Sequence, residues 1–261
     1  MPEQDEAPQE AEGVKVNNNE ILRQIKSGEI RGREAFSAFA KKHRQDGSID
    51  QPVFENTTAL NWACKNKNVD LLAAFLAAGA LPNGSAAPGN NRIFPLASAM
   101  AGMPGAEGAE CAELLLNAGA RLDDLDPSGL GPLHCAAMFN PSGEGVRWLL
   151  AKGANPLSAG KDGLTALHVA AGIKNINAAK ALIDAGADPR ALANCEFLSV
   201  HQNEGEKLAS PLDLAKAVEL DAGEMVDLLR QAGQALTDRE VLEEATRVPA
   251  STRMMRARGG L

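Results

Sequence analysis

An all-α chain, built as a row of helix-turn-helix units stacked side by side, is predicted by three features of the sequence. The first is repetition. Ser128-Gly129-Leu130-Gly131-Pro132-Leu133-His134-Cys135-Ala136-Ala137 and Asp162-Gly163-Leu164-Thr165-Ala166-Leu167-His168-Val169-Ala170-Ala171 are in register. Each leads to a similar close, Leu149-Leu150-Ala151-Lys152-Gly153-Ala154-Asn155-Pro156 and Leu182-Ile183-Asp184-Ala185-Gly186-Ala187-Asp188-Pro189. The second is composition: 44% of residues are apolar, mostly Ala and Leu, while aromatics make up 3% and Tyr is absent. That mixture favours helices packed through small side chains over a β-sandwich. The third is spacing, since Leu133 with Ala136 and Ala137, and Leu167 with Ala170 and Ala171, share one face at the helical period.

In chain order, residues 1–19 read as an acidic disordered tail, with Glu3, Asp5, Glu6, Glu10 and Glu12 and little apolar content. Residues 20–53 read as a helical N-terminal cap. In it Ile21, Leu22, Ile25, Phe36, Phe39 and Ala40 form two short helices separated near Ser27-Gly28. Five units then fill 54–234. Their opening segments begin at Thr58, Phe94, Gly131, Thr165 and Ser210, and their closing glycines are Gly79, Gly119, Gly153, Gly186 and Gly233. Thr or Ser before the first helix supplies an N-capping oxygen, as at Thr165 and Ser210. Pro95, Pro132 and Pro211 sit at the first helical position, where a missing N–H costs nothing. The closing glycines suit a left-handed C-cap. Leu72, Phe75 and Leu76 in one second helix, and Val146, Leu149 and Leu150 in another, carry the larger apolar load. One unit cannot bury such a face alone, so neighbours complete its core. Trp62 and Trp148 lie within these helices and read as core. Residues 235–261 read as a final helix near Asp238–Thr246 followed by a basic tail with Arg247, Arg253, Arg256 and Arg258.

These units resemble the ankyrin repeat, with its Thr-Pro-Leu-His opening and Leu-Leu-x-x-Gly-Ala close. The resemblance covers about residues 54–234 and implies an ankyrin-repeat solenoid: helix-turn-helix units joined by β-hairpin-like loops, with helical caps. The match departs from regular length at Gly102–Gly108, at Asn140–Gly145, and most of all at 191–208. There Phe197-Leu198-Ser199-Val200 and Asn203-Glu204-Gly205 favour an extended β-hairpin. Long loops in compact proteins are often functional, and this insertion is the feature that repeat physics does not require.

Several functions are disfavoured by the sequence. A net charge of −8 argues against general binding to nucleic acid. No apolar run reaches the length of a membrane span, and the first residues lack a basic-then-apolar secretory signal, so the expected location is the cytoplasm; secretion by a non-classical route stays compatible with this. Cys64, Cys111, Cys135 and Cys195 show no Cys-x-x-Cys spacing and read as small hydrophobes in a reducing compartment. No phosphate-binding glycine loop, His-Glu-x-x-His helix or Gly-x-Ser-x-Gly elbow is present. No catalytic residue, cofactor or metal site is therefore expected. His134 and His168 occupy the fourth position of the Thr-Pro-Leu-His-type turn, where the resemblance implies a structural ring bonded to backbone between units. His43 and His201 fall in polar sequence and read as solvated.

The resemblance implies a non-enzymatic protein–protein interaction scaffold that binds a partner on its concave face, made from hairpin tips and first helices. By position, the tip residues are Asn90, Arg92, Ile93, Ser128, Leu130, Lys161, Asp162 and Leu164. The first-helix residues are Met138, Phe139 and Ile173. Of these, Arg92, Met138, Phe139 and Ile173 make the strongest anchors, because large flexible or aromatic groups dominate interfaces. The negative net charge suits a basic partner. Ala-rich, Tyr-free composition points weakly to a bacterial or phage source, hence to an immunity, regulatory or effector protein acting by binding. The competing expectation is an enzyme or enzyme subunit whose site forms at the 191–208 insertion.

Overall fold

The computed structural model describes residues 23–247, less positions 26, 28–29, 46, 48, 51, 55–56, 85–93, 102–104, 127–128, 195–207 and 218–222. The tail at 1–19, the arginines beyond 247 and the lengthened bend at 102–104 lie outside the described residues.

Helices dominate. The cap helix α1 (Arg33–Gln45) is followed by five helix pairs. They are α2 (Ala59–Lys65) with α3 (Val69–Ala77), α4 (Pro95–Ala101) with α5 (Ala106–Asn117), and α6 (Pro132–Phe139) with α7 (Glu144–Ala151). Then come α8 (Ala166–Gly172) with α9 (Ile176–Asp184), and α10 (Pro211–Ala217) with α11 (Gly223–Arg247). The first helices of the pairs touch in series, α2 to α4 to α6 to α8 to α10, while α1 packs on α3 and α9 on both α7 and α11. One apolar core runs the length of this row, from Ile25 and Phe36 in the cap to Met225 and Leu229 in α11. Each unit thus buries its apolar face against its neighbours.

Local chemistry explains where the helices start and stop. Thr58 Oγ1 accepts from the Asn61 N–H at the start of α2, and Thr165 caps α8. In four units a glycine ends the second helix: Gly79, Gly119, Gly153 and Gly186 hold φ of 90°, 95°, 94° and 93°. The next residue's N–H reaches back to the fifth preceding carbonyl, Ala80 to Phe75, Ala120 to Leu115, Ala154 to Leu149 and Ala187 to Leu182, at 2.8–3.0 Å. This is the Schellman closure. Gly233 does not close a helix. It lies inside α11, which runs unbroken through the expected boundary at 234/235 and absorbs the separate final helix. Gln234-Ala235-Leu236 are helix formers with no Asn/Asp-Pro turn after the glycine, and the cost of one helical glycine, about 1 kcal/mol, is too small to break the helix.

Two layers of polar contact lock unit to unit. Buried asparagines tie the turns between helices: Asn140 Nδ2 donates to Met100 O (3.2 Å), and Asn175 Nδ2 donates to Ala137 O (2.8 Å) and Asn140 O (2.9 Å). Asn175 Oδ1 also accepts from Ala178 N–H and so caps α9. Near the chain's start, Asp50 accepts from Leu81 N–H, and Asn83 bonds Gly119 O and Arg121 N–H, linking successive loops.

The hairpin-like loops form the second layer. Strands β1 (Pro52–Phe54) and β2 (Thr57–Thr58) pair antiparallel with a bulge, and β3 (Ala193–Asn194) pairs with β4 (Leu208–Ala209). The insertion therefore does emerge from a hairpin stem, while Phe197–Val200 and Asn203–Gly205 lie outside the described residues. Between them, Asp126 N–H donates to Leu130 O and Gly160 N–H to Leu164 O. Gly129 and Gly160 bring two of these loops into backbone contact, since a Cβ on Gly160 would overlap the Gly129 carbonyl oxygen.

Helix α1 packs on the first unit, with Phe36 and Ala40 buried and Phe39 tilted against Phe75 at 6.0 Å between ring centroids. His43, expected in solvent, is buried edge-on to Phe39 at 4.5 Å, because α1 turns that position inward. Arg44 donates to Gly79 O, closing the end of α3 from the cap.

Candidate functional site

The histidines define what the stack uses for itself. His134 Nδ1 accepts from the Gly131 N–H (3.1 Å), which leaves Nε2 to donate to Leu164 O in the next unit (2.9 Å). His168 repeats the arrangement one unit on, with Nδ1 accepting from Thr165 N–H (3.2 Å) and Nε2 donating to Ala209 O (3.1 Å). Both rings are buried, and burial holds each below the usual histidine value of 6.5. A neutral ring is what these bonds need, since Nδ1 can accept only when unprotonated.

This makes stability depend on pH. The folded rings bind protons less readily than the unfolded ones. Their contribution is therefore complete above 6.5 and lost progressively as the pH falls from there toward the lower folded values. The urea midpoint is expected to drop between about pH 7.5 and about pH 5.5. A His134→Asn/His168→Asn variant should be weaker at the higher pH but show a smaller drop. Equal drops in the two proteins would place the acid sensitivity elsewhere.

The cysteines are equally internal. Cys64, Cys111 and Cys135 are free and buried, and burial pushes the Cys111 thiol up to about 11 and that of Cys135 to about 12. Thiols in that state are poor nucleophiles. Among the described residues no three His, Cys, Asp or Glu side chains gather into a metal-binding group, and no helix is long and apolar enough to cross a membrane. Cys195 and His201 lie outside the described residues.

Among the residues picked for binding, Phe139 and Ile173 stand out. Phe139 ends α6 and is 56% exposed; Ile173 comes directly after α8 and is 47% exposed. The two positions are equivalent in successive units, counted from Leu133 and Leu167, and α6 packs against α8. Two large apolar groups are thus exposed at equivalent positions of neighbouring units. Met138 and Leu130 are half-buried beside the core. Lys161 and Asp162 are exposed on a short 3-10 turn, with Asp162 at φ 61°. Leu164 is a correction: it is only 2% exposed, its carbonyl receives both His134 and the Gly160 N–H, and it belongs to the packing between units. Asn90, Arg92, Ile93 and Ser128 lie outside the described residues. Trp62 and Trp148 pack against the core while staying partly exposed, and the Lys152 ammonium lies 5.3 Å from the Trp148 ring centre.

Two features escaped sequence reasoning. The asparagine ladder was one, because Asn140 and Asn175 are ordinary turn residues until their neighbours' carbonyls are placed. The other is the exposed pair Leu192 (58%) and Leu208 (55%) on the stem of the insertion. Ala193 and Ala209, their neighbours in the strands, are buried. Strand alternation turns the leucines outward, and that signal was present in the sequence once the strand register was known.

Comparison with known families adds one finding. Residues 99–193, from α4 to the start of the last hairpin, match the family model for ankyrin repeats in three copies. No curated protein matches the chain.

Proposed function

We propose that this chain, an ankyrin-repeat protein, is a non-enzymatic scaffold that binds a partner protein on the concave face of its repeat stack. Ankyrin repeats generally serve protein–protein interaction. The observation that carries the reading is the exposure of Phe139 and Ile173 at equivalent positions of adjacent first helices. Burying two such side chains on binding removes apolar area that packing within the stack leaves in water. The interior polar groups of the repeats, by contrast, serve the fold: His134 and His168 bond backbone, and the described thiols are buried and protonated. Binding in the cytoplasm by an immunity, regulatory or effector protein fits this reading.

Affinity capture from the source lysate tests it, with wild type compared against Arg92→Glu/Phe139→Ala/Ile173→Glu after circular dichroism shows that the variant folds. A partner held by wild type and lost by the variant is the expected result. A partner held equally by both would overturn the concave-face reading and move the contact to the tails or to the 191–208 insertion, where Leu192 and Leu208 are exposed on the hairpin stem. Turnover of a substrate by the purified chain would favour the enzyme reading of that insertion.

A further inference from the structure

Asn83-Gly84 is the single Asn-Gly pair in the chain, and it lies in the turn that leaves the first unit. Gly84 completes that turn at φ 75°, with its N–H donating to Leu81 O (3.0 Å). The Asn83 amide spans the joint to the second unit. Its Nδ2 donates to Gly119 O (3.3 Å), and its Oδ1 accepts from Arg121 N–H (2.9 Å). Gly119 is the glycine that closes α5, so one side chain grips the closing turn of the second unit at two points.

The preceding joint meets the same two groups with two residues. There Arg44 Nη1 donates to Gly79 O (3.1 Å), and Asp50 Oδ1 accepts from Leu81 N–H (2.9 Å). Gly79 and Leu81 correspond to Gly119 and Arg121, counted from the closing glycine. A carboxylate thus suffices for the N–H, while the carbonyl needs a separate donor. At position 83 an amide supplies both.

An asparagine followed by glycine is also the pair most prone to attack on itself, because no side chain crowds the glycine nitrogen. The backbone nitrogen of Gly84 gives up its proton to solvent and bonds to Asn83 Cγ. The Cγ–Nδ2 bond breaks, and Nδ2 leaves as ammonia with a proton from solvent. Water then opens the succinimide at one carbonyl or the other, which leaves aspartate or isoaspartate. Solvent can take part, since both residues are only half-buried. The folded joint opposes the first step twice. Gly84 N–H is held by Leu81 O, and the two amide bonds hold Cγ toward the second unit. Cyclisation has to release both, and releasing the amide means opening the joint.

We propose that Asn83 is a self-modifying site. Opening of the joint between the first two units lets Gly84 N convert the amide to aspartate or isoaspartate, which weakens that joint irreversibly. Either product lacks the donor for Gly119 O. Aspartate keeps an acceptor for Arg121 N–H, as Asp50 does for Leu81, whereas isoaspartate adds an atom to the backbone and displaces that acceptor. Conversion therefore records one opening and eases the next.

Site-resolved peptide mass spectrometry of the full-length chain, incubated at mildly alkaline pH, tests this. Asn83 should convert in the native protein, with isoaspartate among the products, about tenfold or more slower than in denaturing urea. Gly119→Ala strains the closing turn, since φ there is 95° while the added Cβ has open space. It should speed native conversion severalfold and leave the rate in urea unchanged. Urea below the unfolding transition should speed the wild type in the same way. Equal rates at Asn83 in native and denatured protein would overturn the gate, as would a native rate that neither Gly119→Ala nor low urea changes. An amide intact in every native sample while the denatured chain is fully converted would overturn the site. Asn83→Asp should fold with a lower urea midpoint than wild type, and an unchanged midpoint would overturn the weakening of the joint.

Discussion

Gly160→Ala is expected to destabilise the protein by about 3 kcal/mol or more and to split its unfolding into two steps. Gly160 has φ −80°, a conformation alanine adopts freely, so backbone strain is not the cause. The cause is steric. The new methyl would overlap the Gly129 carbonyl oxygen and approach Leu164 O at 3.4 Å, and neither atom is the end of a flexible side chain. Relieving the clash means separating the loops of the third and fourth units, and with them the His134 bond to Leu164 O. Gly153→Ala is the control. It has open space around the added Cβ but a φ of 94°, so it should cost only about 1–2 kcal/mol. Urea unfolding monitored by circular dichroism reads both. Equal costs for the two substitutions would show that the loops can part cheaply.

Asn175→Ala should cost about 3–4 kcal/mol. The side chain makes three hydrogen bonds from a site 7% exposed. Its loss strands the carbonyls of Ala137 and Asn140 and removes the cap from α9. Because two of those bonds cross between units, the variant should also reduce cooperativity between the third and fourth units. Asn68 is the comparison: it caps α3 through Leu71 N–H at 3.0 Å, a bond within its own unit. Asn68→Ala should therefore cost about 1 kcal/mol, the value of a cap alone. If Asn175→Ala cost no more than Asn68→Ala, the ladder would contribute nothing beyond capping.

The candidate site was legible to different depths. Phe139 and Ile173 could be picked from register alone, because the unit's buried positions are fixed by its Leu, His and Ala pattern and these two fall just after it. Leu164 was misplaced by the same reasoning. As a loop residue one position before the cap it reads as a tip, but its side chain turns under the hairpin while its carbonyl faces His134. His43 went wrong for a related reason, since a polar stretch gives no sign of which residue an amphipathic cap helix will turn inward.

What the sequence determined by itself is everything set within one unit. Helix starts at Thr58 and Thr165, helix ends at four glycines with positive φ, and the small-residue face of each first helix depend on neighbours a few residues away, so local pattern is enough. Gly233 shows the limit, because a glycine ends a helix only when the residues after it turn the chain away. Tertiary structure decided what passes between units: the asparagine donations, the His134 bond to Leu164 O, the close approach of Gly129 and Gly160, and the outward turn of Leu192 and Leu208. The hydrogen bonds among them join residues 30 to 40 positions apart. Their geometry exists only when one unit is docked on the next, which is why no window of the chain contains it.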